Sequence, residues 1–185
     1  MNSNIHNIFS VPIWGYIFNN EKYHSENYIE KIIQLSKTTE TVKKSNQYGW
    51  QSSDELHKLP VFAEFVKHVN SICNNSLNEI KPNSPKIGIT EMWANINYKN
   101  SYNHHHIHSG VISGVFYLKI PKNCGRLILV NPAIRSDGNF IRVNNYGVEP
   151  IKLACILFPS WLEHYVEPNM SDEERISISF NTNFI

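Results

Sequence analysis

The chain has 185 residues, 41% of them hydrophobic and 18% charged, which suits one soluble globular domain with a real core. Its formal net charge of +1 gives no bulk field for nucleic acid or an anionic membrane, and the lone basic pair Lys43-Lys44 does not change that. No apolar run reaches the roughly 18 residues of a membrane span, and the three scattered cysteines, Cys73, Cys124 and Cys155, predict a reducing, cytoplasmic compartment.

The opening residues, Met1 to Asn7, lack the charged and apolar regions of a signal peptide, so none is expected there. Residues 1–85 read as mixed and substantially helical. Tyr28 to Leu35 is a short amphipathic helix candidate. Phe62, Phe65, Val66, Val69, Ile72 and Cys73 recur as one face of a second helix that starts near Pro60. Ser52-Ser53-Asp54, just before Glu55 and Leu56, predicts an N-cap upstream of it.

From about residue 86 the pattern becomes β. Ile87 to Tyr98 places Trp93, Asn95 and Asn97 on one face, and Val111 to Ile120 is β-branched and aromatic. Leu127 to Val130 and Leu153 to Phe158 are short apolar runs that stop at Asn131-Pro132 and Pro159. Arg175 to Phe184 alternates, with Ile176, Ile178 and Phe180 on one face and Arg175, Ser177, Ser179 and Asn181 on the other. Short strands at regular spacing predict a sandwich or barrel-like jelly roll. The expected fold is mainly β with N-terminal helices: one domain over 1–185, helical or mixed through 85, with a jelly-roll core over 86–185.

Two elements carry chemistry. The first is Asn103-His104-His105-His106-Ile107-His108. Side chains two apart on a strand project together, so His106 and His108 can share one cation, and His164 after the Pro159-Ser160 turn is the best third ligand. Three protein ligands leave positions open for substrate. Imidazole suits zinc, copper, iron and nickel alike. His-x-His alone is a weak signal. His104 shares the strand face, so the residues leave open which of the cluster would bind. The second element is Arg175. On an inward strand face it would be a buried guanidinium, which requires a partner and is well shaped for a carboxylate. Ser177 shares its face. A structural ion pair with an acid elsewhere is the plainer alternative.

At these residues the chain resembles the 2-oxoglutarate/Fe(II)-dependent oxygenase family, and within it a branch of small proteins common in marine bacteria and their phages. The ordered set runs from Phe9-Ser10-Val11-Pro12-Ile13-Trp14-Gly15 and Gly49-Trp50-Gln51-Ser52, through Trp93, Asn95, His106-Ile107-His108 and Ser113-Gly114-Val115-Phe116-Tyr117. It continues with Asn131-Pro132, Phe158-Pro159-Ser160-Trp161-Leu162, His164 and Arg175-Ile176-Ser177 through Asn181. The resemblance implies a double-stranded β-helix holding one Fe(II), with 2-oxoglutarate and O2 as co-substrates. It implies His106, His108 and His164 as metal ligands, with His104 and His105 as bystanders. It also implies Arg175 as the grip on the far carboxylate of 2-oxoglutarate, with Ser177 as its helper. Asn97 and Tyr117 are expected nearby as inward polar residues, and Trp161 as packing beside the third ligand.

The chain departs from the wider family at one ligand. His108 stands where a carboxylate is usual, so the bound iron would keep a charge of +2 rather than +1. The implied activity couples 2-oxoglutarate decarboxylation to O2-dependent oxidation, typically hydroxylation, of a small molecule or a protein side chain. A three-histidine cupin-type dioxygenase without 2-oxoglutarate is one alternative. A non-enzymatic jelly-roll module that binds metal or nothing is another. The polar loop from Asn131 to Tyr146 is expected to shape the mouth of the site. A homodimer is left open, and a phage-encoded chain would work in its host's cytoplasm.

Overall fold

The alternation in β11 (Arg175–Phe184) sorts the molecule into an apolar side and a polar side. Ile176, Ile178 and Phe180 are fully buried and join one apolar cluster with Phe65, Val69 and Cys73 of α2 (Ala63–Ile80). The same cluster takes Ile32 from α1 (Ser25–Thr38). Both helices thus cover one face of the sheet that holds β11. Gly114 on β6 (Ile112–Lys119) leaves room for the Phe180 ring, which a Cβ at that position would strike.

The computed structural model describes residues 10–19, 23, 25–132 and 145–185. Two antiparallel sheets face each other. The larger has the order β1-β9-β6-β11-β4-β3 and the smaller β2-β5-β10-β7-β8. The larger sheet uses β1 (Trp14–Ile17), β3 (Trp50–Gln51), β4 (Ile87–Asn97) and β9 (Ala154–Pro159) beside β6 and β11. The smaller uses β2 (Asn46–Gln47), β5 (Tyr102–His106), β7 (Leu127–Leu129), β8 (Tyr146–Val148) and β10 (His164–Val166). Leu127, Leu129, Val148, Phe158 and Leu162 form a second, smaller cluster. Mainly β, with two helices on one outer face, this is the expected jelly roll.

Several details differ from the sequence reading. Residues before 86 supply three strands, β1, β2 and β3, as well as the helices, and so complete both sheets. Ser52-Ser53-Asp54 caps no α-helix. Ser52 Oγ instead accepts the Ala94 backbone N–H at 3.0 Å and donates to Ser53 O at 2.7 Å, tying the segment to β4. A 3-10 turn over Leu56–Lys58 follows, and α2 begins only at Ala63 with no side-chain cap. Pro159 closes β9 from inside the strand, opposite Ile112, where a ladder end tolerates its missing N–H. Phe9, residues 1–7 and most of the loop between Asn131 and Tyr146 lie outside the described residues. No described helix is long and apolar enough to cross a membrane.

Candidate metal and co-substrate site

His106 ends β5, and His164 opens β10 directly opposite it in the strand register. His108 lies two residues beyond β5, where its backbone N–H donates to Ser160 O at 2.9 Å. One ring nitrogen from each of the three lies within 4.8 Å of the others. The ring centroids are 4.9 Å apart for His106 and His108, 4.3 Å for His106 and His164, and 5.0 Å for His108 and His164. Turn geometry after β5, rather than strand parity alone, brings His108 in.

Two of the rings are oriented by the chain itself. His106 Nδ1 sits 2.6 Å from His104 O, and His164 Nδ1 sits 2.8 Å from Leu162 O. A carbonyl only accepts, so each Nδ1 carries the proton and each Nε2 presents its lone pair. Burial lowers the pKa of all three imidazoles. His108 falls to about 3, with burial first and His164, His106 and Lys44 adding to it. His164 falls to about 4, with burial first and His106 next. His106 is also lowered, chiefly by burial. All three are therefore neutral near pH 7, the state in which imidazole binds metal.

This has a measurable consequence in the metal-free protein. Unfolded histidines take up protons below about pH 6.5, whereas folded His108 and His164 resist until about pH 3 and about pH 4. Stability is thus complete above 6.5 and falls as pH drops toward the folded values. Thermal melts of chelator-treated protein should show this loss, and His108→Asn should flatten the slope between about pH 6 and 4. An unchanged slope in the variant would mean that His108 is not buried neutral.

The neighbouring histidines face elsewhere. His105 Nδ1 lies 3.2 Å from Glu163, and its ring stacks on Tyr165 at 4.2 Å. His104 is exposed, edge-on to Tyr102 at 5.0 Å. Trp161, expected to pack beside His164, is 55% exposed, because the turn after β9 points it to solvent. Phe158 packs on the His164 ring instead, at 4.8 Å, and Trp93 lies 5.5 Å from the His108 ring.

Arg175 is 3% exposed and has no carboxylate beside it among the described residues. Its guanidinium donates to three neutral oxygens: Cys124 O at 3.3 Å, Gly125 O at 3.1 Å and Asn97 Oδ1 at 3.1 Å. Its Nε is buried with no partner. Gly125 has φ +80 and packs so tightly on the Glu167 and Pro168 carbonyls that a Cβ could not fit. That turn is what aims two carbonyls at the arginine. Burial lowers the Arg175 pKa and raises that of Tyr117 to about 12, so Tyr117 stays a neutral hydroxyl. A buried cation with an idle N–H and no counter-charge is half of an ion pair.

The polar face of the larger sheet lays these groups out in rows. Arg175 pairs with Asn97, Ser177 with Asn95 and Tyr117, Ser179 with Trp93 and Val115, and Asn181 with Glu91 and Ser113. The rows floor a cavity of about 250 Å³ that also reaches the three histidines. The structure thus brings His106, His108, His164, Arg175, Ser177 and Tyr117 to one cavity, with Asn97 anchoring the arginine from behind. Glu91 was missed, although it extends the Trp93, Asn95, Asn97 alternation by one step. The Cys124 and Gly125 carbonyls leave no side-chain signal to read.

Solved structures that share this architecture include a Pseudomonas putida prolyl-4-hydroxylase, at 12% identity over 93% of each chain with a TM-score of 0.68. The viral collagen prolyl hydroxylase from Paramecium bursaria Chlorella virus-1, solved with 2-oxoglutarate, aligns over 94% of this chain and 96% of its own, at 15% identity and TM-score 0.65. The epimerase SnoN from nogalamycin biosynthesis aligns over 94% and 79%, at 14% and 0.70. At such identities the likeness establishes the fold: the jelly roll of the non-haem oxygenases. The family model described as "Putative 2OG-Fe(II) oxygenase" matches residues 91–181, which carry all three clustered histidines and Arg175. Over these residues the chain matches the model of the 2-oxoglutarate/Fe(II)-dependent oxygenase family. No curated protein matches it.

Proposed function

We propose that the protein hydroxylates a small molecule or a protein side chain, with Fe(II) held by His106, His108 and His164 and 2-oxoglutarate held by Arg175. The single observation that carries this reading is the buried, carboxylate-free guanidinium in the same cavity as three neutral, converging imidazoles. The donor set fits the group: three lone pairs suit a divalent transition metal and leave positions open. Arg175 Nε then gains the acceptor it lacks, from the far carboxylate of 2-oxoglutarate. Bound iron would supply O2 activation coupled to 2-oxoglutarate decarboxylation. Tyr117 and Ser177 offer hydroxyl donors in the adjoining row and orient the co-substrate. Three neutral ligands leave the metal's full +2 charge facing the dianion, which strengthens its binding. Both prolyl hydroxylases above share the fold and support hydroxylation as the outcome, while the epimerase marks the other reaction class to look for. The three unpaired, buried thiols support work in a cytoplasm, a host's if the chain is phage-encoded.

Anaerobic addition of Fe(II) and 2-oxoglutarate is expected to give a visible metal-to-ligand charge-transfer band. Admission of O2 should then yield succinate. Iron binding without response to 2-oxoglutarate would instead favour a cupin-type dioxygenase. Absence of iron binding would sink both readings.

A further inference from the structure

The face of β4 that lines the cavity sets Asn97, Asn95, Trp93 and Glu91 in successive rows. The first and last rows are six residues apart, about 20 Å along the strand. Arg175 marks the first row, and Trp93 beside His108 marks the level of the imidazole cluster. Glu91 therefore stands beyond the cluster, at the opposite end from the arginine. It lines the cavity, half-buried, and accepts a 2.6 Å hydrogen bond from Asn181 Nδ2. Asn181 is held in turn by Ser113 Oγ at 2.8 Å. Among the described residues Glu91 makes no ion pair. Lys44 also reaches the cavity, but it is paired with Asp54 at 3.4 Å and half exposed at the rim.

A second observation asks for the same chemistry. Asn95 is 7% exposed and lines the cavity, and its Oδ1 has no donor. Its Nδ2 is already engaged with Ser179 Oγ at 3.3 Å. 2-Oxoglutarate offers acceptors only, so it leaves that oxygen unsatisfied. A carboxylate without an ion pair among the described residues, a tryptophan in the next row and an orphaned acceptor all call for donors and positive charge.

We propose that this end of the cavity takes a cationic nitrogen of the substrate, an ammonium or guanidinium, held by Glu91 and flanked by Trp93. A further N–H or O–H of the same molecule meets Asn95 Oδ1. The assignment rests on the oxygenase reading for calling this molecule a substrate, and on the rows of β4 for its charge.

Anaerobic calorimetry with the full chain tests it, both metal-free and loaded with Fe(II) and 2-oxoglutarate. The probes are Nα-acetyl-lysine methylamide, Nα-acetyl-arginine methylamide and the neutral Nα-acetyl-norleucine methylamide. At least one cation should bind about tenfold or more tighter than the neutral probe, and Glu91→Gln should erase that preference. The variant should still form the Fe(II)–2-oxoglutarate band, which shows that the site is assembled. Equal binding of all three probes overturns the proposal. So does a cation preference that survives Glu91→Gln, or no cation binding at millimolar concentration. A missing band in wild type would sink the oxygenase reading alone, because the cation preference is also read without metal.

Discussion

Arg175→Ala is expected to weaken 2-oxoglutarate binding by about 2–5 kcal/mol, the range for truncating one partner of a buried, hydrogen-bonded charge pair. Fe(II) affinity should change only a few-fold, because none of the three imidazoles touches the guanidinium. Titrating the anaerobic charge-transfer band against each component separates the two affinities. The variant also strips donors from Cys124 O, Gly125 O and Asn97 Oδ1, so some stability goes with it. Arg175→Lys controls for that loss: it keeps a charge but cannot fork toward a carboxylate while serving those oxygens. It should recover stability better than co-substrate affinity. Equal loss of iron and 2-oxoglutarate in both variants would make Arg175 a structural residue.

His164→Ala should abolish the band by removing one of the three proposed ligands. Losing a mere supporting partner of a ligand typically costs 10–100-fold in metal affinity, so losing the ligand itself should exceed about 100-fold. His164 is the most buried of the three and packs against Phe158 at 4.8 Å. Its removal also leaves the Leu162 carbonyl without its ring donor. His105→Ala is the informative control, since that ring is engaged with Glu163 and Tyr165 outside the cluster. Iron affinity that survives His164→Ala and falls in His105→Ala would reassign the ligands.

The long strands were legible because side-chain parity survives over eight or more residues. β11 and β4 each declared an apolar and a polar face, and those faces are where the helices and the cavity lie. β2 and β3 have two residues each, too few for any period to show. His164 opens a three-residue strand, so its place came from order and resemblance rather than from pattern. Trp161 was misplaced because adjacency in sequence says little across a turn: Leu162 goes into the small apolar cluster and Trp161 goes out. The backbone oxygens that hold Arg175 come from a glycine turn about 50 residues away in sequence, and only tertiary structure brings them there.

The row arrangement on the larger sheet fixes how this protein can change. The separation between guanidinium, imidazole cluster and Glu91 is counted in backbone units, not set by side-chain reach. Point substitutions can swap the group in one row but cannot move a row. A single-residue insertion within β4 or β11 would flip every group past it, driving Glu91 or Arg175 into the apolar layer under α2. The irregularity in the β4–β11 register falls between Asn181 and Thr182, just past the last row, where an extra residue leaves the frame intact. Lengthening the site for a larger substrate therefore requires paired insertions in adjacent strands, so the cavity can change its chemistry far more readily than its length.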